Sequence, residues 1–117
     1  MLFRSQSYIC AVAHMNLAEM ARQARDAVIG ECDAGLLKMV APIFVNDEFI
    51  GTVGACGMLP EDGEVDSFMV NKTLDMPEED IEALAQDIPE ISPSDAENVA
   101  GYIRKRIDEI LAKKGFA

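Results

Sequence analysis

Between residues 36 and 56 two apolar runs are separated by a single short polar interruption, and this block sets what the rest of the chain can become. Residues 36–45 are nearly continuous in apolar character, Asn46-Asp47-Glu48 breaks the run, and residues 49–56 resume it. Apolar runs of this length bounded by turn residues read as strands, and two so closely spaced form a β-hairpin. Pro42 has no backbone N–H for a ladder, so it is expected at an edge or a bulge. A shorter strand precedes the hairpin, Val28-Ile29-Gly30-Glu31-Cys32, followed by a turn at Asp33-Ala34-Gly35.

Helical periodicity flanks this sheet-forming block. Cys10, His14, Leu17, Ala21, Ala24 and Val28 recur at helical spacing, which predicts an amphipathic helix from Cys10 towards Val28. Downstream, Pro77 follows Asp75 and Met76, and Glu78, Glu79 and Asp80 suit the positive end of a short helix whose stripe is Ile81, Leu84, Ala85 and Ile88. Ser92, Pro93 and Asp95 open a final helix with Ala96, Val99, Ala100, Ile103, Ile107, Ile110 and Leu111 along one face, and Gly115 stops it. That face suits either the sheet or a partner helix. Residues 65–75 read as an irregular connection with a strand-like Phe68-Met69-Val70.

At 117 residues with half of them hydrophobic, the chain is expected to be a single folded domain. Its formal net charge of −11 argues against direct nucleic-acid binding. No apolar run approaches the ~20 residues of a membrane helix, and Met1-Leu2-Phe3-Arg4-Ser5-Gln6 lacks a secretory leader's apolar region, so a cytoplasmic, membrane-free protein is expected. Half of the ten basic residues lie at the C-terminal end, Arg104, Lys105, Arg106, Lys113 and Lys114, where they suit a helix dipole or an acidic partner.

The chemistry-bearing side chains stand at the ends of the apolar segments: Cys10, His14, Cys32 and Cys56. Cys10 and His14 are spaced i, i+4 and share a helix face. Three thiols and one imidazole form a donor set that zinc or another soft metal accepts, although no tight Cys-x-x-Cys pair is present. Thiol redox chemistry and plain packing are open alternatives, since buried Cys commonly serves as a small hydrophobe. An odd number of cysteines makes a complete disulfide framework unexpected. No nucleophile motif, phosphate loop or dinucleotide fingerprint appears, so no enzyme and no catalytic residue is expected.

Taken in order, Tyr8-Ile9-Cys10-Ala11-Val12-Ala13-His14, Gly30-Glu31-Cys32-Asp33-Ala34-Gly35-Leu36, Val40-Ala41-Pro42-Ile43-Phe44-Val45 and the Gly-rich run from Phe49 to Gly57 resemble the PocR sensory domain over roughly residues 5–75. The resemblance implies a PAS-like or GAF-like α/β (α+β) domain, with an antiparallel sheet of about three to four strands, flanking helices and the long C-terminal helix. It implies a small-ligand sensor for a bacterial signalling or transcription regulator, with Cys10, His14, Cys32, Asp33 and Cys56 as the pocket candidates. Family domains open with further segments ahead of the match to Tyr8-Ile9-Cys10, so the chain is expected to lack an N-terminal portion of the domain. A short sheet then leaves an open edge, and a homodimer or a separate output domain is the expected partner. The remaining alternatives are a Cys3His metal or thiol-redox sensor and an interaction module built on the C-terminal helix.

Overall fold

The computed structural model describes the backbone of residues 2–116 and the side chains of residues 10–72 and 75–116. The first helix, α1 (Leu2–Ala24), turns Ala13, Leu17 and Ala21 inward at the four-residue spacing of one helix face. It starts earlier than the periodicity indicates and ends before Val28. Arg25 adopts a left-handed conformation (φ 56°) just past the helix, and the Asp26 carboxylate accepts a hydrogen bond from the Ala27 N–H.

Three antiparallel strands follow: β1 (Val28–Glu31), β2 (Leu37–Val45) and β3 (Glu48–Pro60). The hairpin between β2 and β3 turns on Asn46 and Asp47 alone, both at positive φ (52° and 69°). This is the two-residue connection whose twist matches that of the strands, and Asn and Asp tolerate it. Glu48 therefore belongs to the strand. Pro42 faces Thr52 of β3, while β1 pairs only with residues 37–40 of β2, so on its other side Pro42 meets no strand. The expectation of an edge position is met within a strand that is central elsewhere.

Both faces of the sheet are covered, which explains why β2 is apolar on both faces, Lys38 excepted, instead of alternating. On one face Val40 packs with Leu17 and Ala21 of α1, and Val28 joins them. On the other, Met39 packs with Ala96 and Ala100 of the last helix, α4 (Pro93–Lys113), with Ile29, Leu37, Ala55 and Ile103 around them. Ser92 caps α4 by accepting from the Asp95 N–H at 3.2 Å, and Gly115 (φ 81°) follows its end, as the sequence indicates.

Between β3 and α4 the structure departs from the sequence reading. Residues Ser67–Leu74 form a helix, α2, in place of the strand-like segment expected at Phe68-Met69-Val70, because the Asp66 carboxylate caps its first turn through the Met69 N–H (3.0 Å). A second short helix, α3 (Glu78–Ala85), buries Ile81 but leaves Leu84 73% exposed, so the expected stripe is only partly used. A fourth strand, β4 (Glu90–Ile91), then pairs parallel to Leu59 and Pro60. The result is a four-stranded mixed sheet in the order β1-β2-β3-β4, with an otherwise antiparallel pattern.

The radius of gyration is 16.0 Å, against roughly 13 Å for a compact domain of this length. One cause is visible at the C-terminal end, where Ile110 of α4 and Phe116 beyond it remain exposed. Among the described residues no strand pairs with β3 on its outer side from Glu48 to Met58. No helix of the described residues is long and apolar enough to cross a membrane.

Candidate functional site

His14 is carried by the inward face of α1 to the middle of β3, where its Nε2 lies 3.0 Å from Thr52 Oγ1. Glycine at position 54 makes this approach possible, since a Cβ there would stand 3.3 Å from the imidazole Cε1 and Nδ1. Cys10, one turn before His14, is exposed and free. Cys32 is half-buried in the turn after β1, where its N–H donates to the Leu36 carbonyl (3.0 Å) and its carbonyl accepts from the Gly35 N–H (2.9 Å). Asp33 beside it is exposed. Cys56 is exposed on β3.

The metal arrangement is thus not assembled. Among the described residues no group of three or more His, Cys, Asp and Glu is placed to hold a metal ion, so Cys10, His14, Cys32 and Cys56 do not converge as a Cys3His set. The physical reason is their distribution over a helix, a turn and an edge strand, with the imidazole engaged by a threonine hydroxyl.

What the fold does build is an apolar trough of about 230 Å³ between the sheet and α4, lined by Leu37, Met39, Ala55, Cys56, Met58, Ile91 and Val99. Its floor is β2 and β3 and its wall is the start of α4 with β4. Two features of β3 shape it. Ala55 leaves space that a larger residue would fill, and an extra residue at Gly57 (φ 115°) shifts the register so that Met58 faces Leu37 while Cys56 faces Lys38. Of the five pocket residues expected from the sequence, only Cys56 borders this trough. The other lining residues read as ordinary core positions in sequence; the small residues of β3 were the one signal pointing to a ligand wall.

A second feature escaped sequence reasoning altogether. Lys38 is 8% exposed and is the only charged residue buried among the described residues. It interrupts the apolar run Leu36-Leu37-Lys38-Met39-Val40, and that interruption was the available signal.

Charge is otherwise arranged at the surface. The Arg104 guanidinium of α4 hydrogen-bonds Asp26 in the connection between α1 and β1 (2.6 Å), and this contact, reinforced by the Ala27 N–H, holds the Asp26 carboxyl below its usual range. Arg25 pairs with Asp47 and lies 4.1 Å above the Phe44 ring, fastening the end of α1 to the hairpin.

A mixed sheet clad by helices on both faces, with an apolar trough beside α4, defines an α+β domain with a side entrance to its sheet. The family model described as the sensory domain found in PocR matches residues 4–115, and the chain belongs to that family. The match continues through α4, well past the segment in which the sequence resemblance was legible. Membership implies a ligand-sensing role in signalling. No curated protein and no solved structure matches the chain.

Proposed function

We propose that this chain is the small-ligand-binding sensory domain of a bacterial signalling or transcription regulator, and that its ligand enters the trough between the sheet and α4. The observation that carries this reading is the trough itself: an almost wholly apolar recess of about 230 Å³ beside the sheet of a sensory-family domain. Its size suits a small organic molecule, since an apolar cavity of roughly 150 Å³ already holds benzene. Because Val99 of α4 lines the trough, occupancy changes the contacts of that helix, which gives a physical route from binding to output. Cys56 at the border makes the trough accessible to thiol chemistry as well.

Methyl NMR of the methionines tests this directly. Titration with propan-1-ol should move the Met39 and Met58 methyl resonances saturably and leave those of Met15 and Met20, exposed on α1, in place. Ala55→Phe, which fills the trough, should abolish the response. Uniform small shifts of all methyls would remove the proposal.

The partner favoured by the open outer edge of β3 is a second copy of the chain. Residues 49–58 of that edge carry no charged residue and no proline, the usual guards against strand addition.

A further inference from the structure

We propose that Lys38 anchors a second binding site, on the α1 face of the sheet, for a small molecule bearing a single carboxylate. By strand alternation Lys38 lies on the same face as Val40, which packs against Leu17 and Ala21 of α1. Its cross-strand neighbours are Gly30 of β1 and Cys56 of β3. The space above Gly30 is taken by Leu17, and the space above Gly54 by the His14 ring. On its Gly30 side the lysine is thereby flanked by the Leu17 side chain, and the residue as a whole is 8% exposed.

No described residue forms a hydrogen bond or ion pair with the Lys38 ammonium. This happens in a chain with 21 acidic residues and a net charge of −11. Since no buried side-chain nitrogen or oxygen of the described residues is left unpaired, the ammonium stands at an opening to solvent and not in a sealed cavity. A cation held at the mouth of an apolar enclosure, with every carboxylate of its own protein elsewhere, is arranged to receive a counter-charge from outside.

The chemistry of that counter-charge follows from the count. One ammonium neutralises one negative charge, and the surplus of a dianion would be opposed by the acidic protein around it. The His14–Thr52 pair lies farther along the same sheet, where Thr52 faces Pro42, and is already engaged with itself, so Lys38 is the one charged group the site offers. A monocarboxylate with a short apolar tail matches both the charge and the lining. This site lies on the face opposite the α4 trough and does not depend on it.

The test is titration of the isotope-labelled full chain with sodium propionate at constant ionic strength, with chloride, propionamide and inorganic phosphate as separate arms. Propionate should shift the Lys38 and Gly30 amides saturably, and propionamide and phosphate should bind at least about tenfold more weakly. Lys38→Met, which keeps the unbranched stem, should weaken propionate at least about tenfold, and Lys38→Arg should retain most of the affinity. Shifts no larger than those with chloride, equal binding of propionamide or phosphate, or undiminished propionate binding by Lys38→Met would overturn the proposal. Should Lys38→Met not fold, reductive ¹³C-methylation of the wild-type lysines gives a direct reading: a propionate-dependent shift of the Lys38 resonance supports the site and its absence rejects it. The propan-1-ol response of Met39 and Met58 is scored separately, so either site can fail alone.

Discussion

His14 Nε2 sits 3.0 Å from Thr52 Oγ1, so the single histidine of the chain is engaged by a hydroxyl in the middle of β3 and not by any of the cysteines. Helix α1 is thereby pinned over Gly54. Replacing either partner by an apolar residue of similar shape, His14→Leu or Thr52→Val, is expected to lower stability by about 0.5–1.5 kcal/mol. In a double-mutant cycle by urea denaturation the double variant should lose less than the sum of the two single losses, since both remove the same bond.

The thiols should separate by location. Cys10 and Cys56 are exposed and Cys32 is half-buried in its turn. Reaction of the native protein with a chromogenic disulfide reagent should therefore show two fast thiols and one slower one. Added zinc should protect none of them; protection of all three together would restore the Cys3His arrangement.

Asp26 gives the fold a defined acid sensitivity. Its carboxyl titrates below the usual value because Arg104 and the Ala27 N–H stabilise the charged form. A depressed folded value means that the contribution is fully present above the unfolded pKa of about 3.9 and is lost as pH falls through the folded value. Asp26→Asn should accordingly be less stable than the parent at neutral pH, by a small margin because both side chains are about half exposed. The urea midpoints of the two proteins should converge below about pH 4; a constant gap down to the most acid pH would refute the assignment.

Two glycines should respond oppositely to alanine. Gly35 has φ 89°, and a Cβ there would fall 2.6 Å from the Glu64 carbonyl oxygen, so Gly35→Ala combines backbone strain with a clash against main chain. A loss of about 1–3 kcal/mol is expected. Gly51 has open space at its Cβ position, and Gly51→Ala should be neutral or stabilising by about 0.5–1 kcal/mol. Thermal unfolding of both variants decides it.

The exposed edge of β3 predicts concentration-dependent association. Sedimentation of the full chain should show a dimer that Val53→Lys disrupts, because Val53 is 38% exposed on that edge strand and a lysine there blocks strand addition. A monomer at all concentrations would count against edge pairing.

Local signals were legible where one short stretch determines its own structure. The Asn46-Asp47 turn, the Ser92-Pro93 helix start and the Gly115 stop each depend on backbone preferences within a few residues. Segment 67–74 is ambiguous in sequence because its apolar residues fit strand or helix equally over so short a span, and the Asp66 cap decides for the helix. Leu84 fits a buried stripe by spacing, yet nothing packs over it. The two-residue parallel strand β4 carries too little sequence of its own to announce a partner 31 residues earlier, Glu90 facing Leu59 and Ile91 facing Pro60; that pairing is a product of how α3 returns the chain.

By itself the sequence determined the hairpin, the flanking helices and the family, because hydrophobic period and turn chemistry act locally and their order is preserved along the chain. Tertiary structure alone decided which residues meet. Cys10, His14, Cys32 and Cys56 are equivalent as potential soft ligands in the sequence, but the fold sends His14 to Thr52, leaves Cys10 in solvent, holds Cys32 in a turn and puts Cys56 at the border of an apolar trough. It also buried Lys38 with no counter-ion among the described residues, since strand register and helix placement, neither of which is written in any one segment, determine what stands above each side chain.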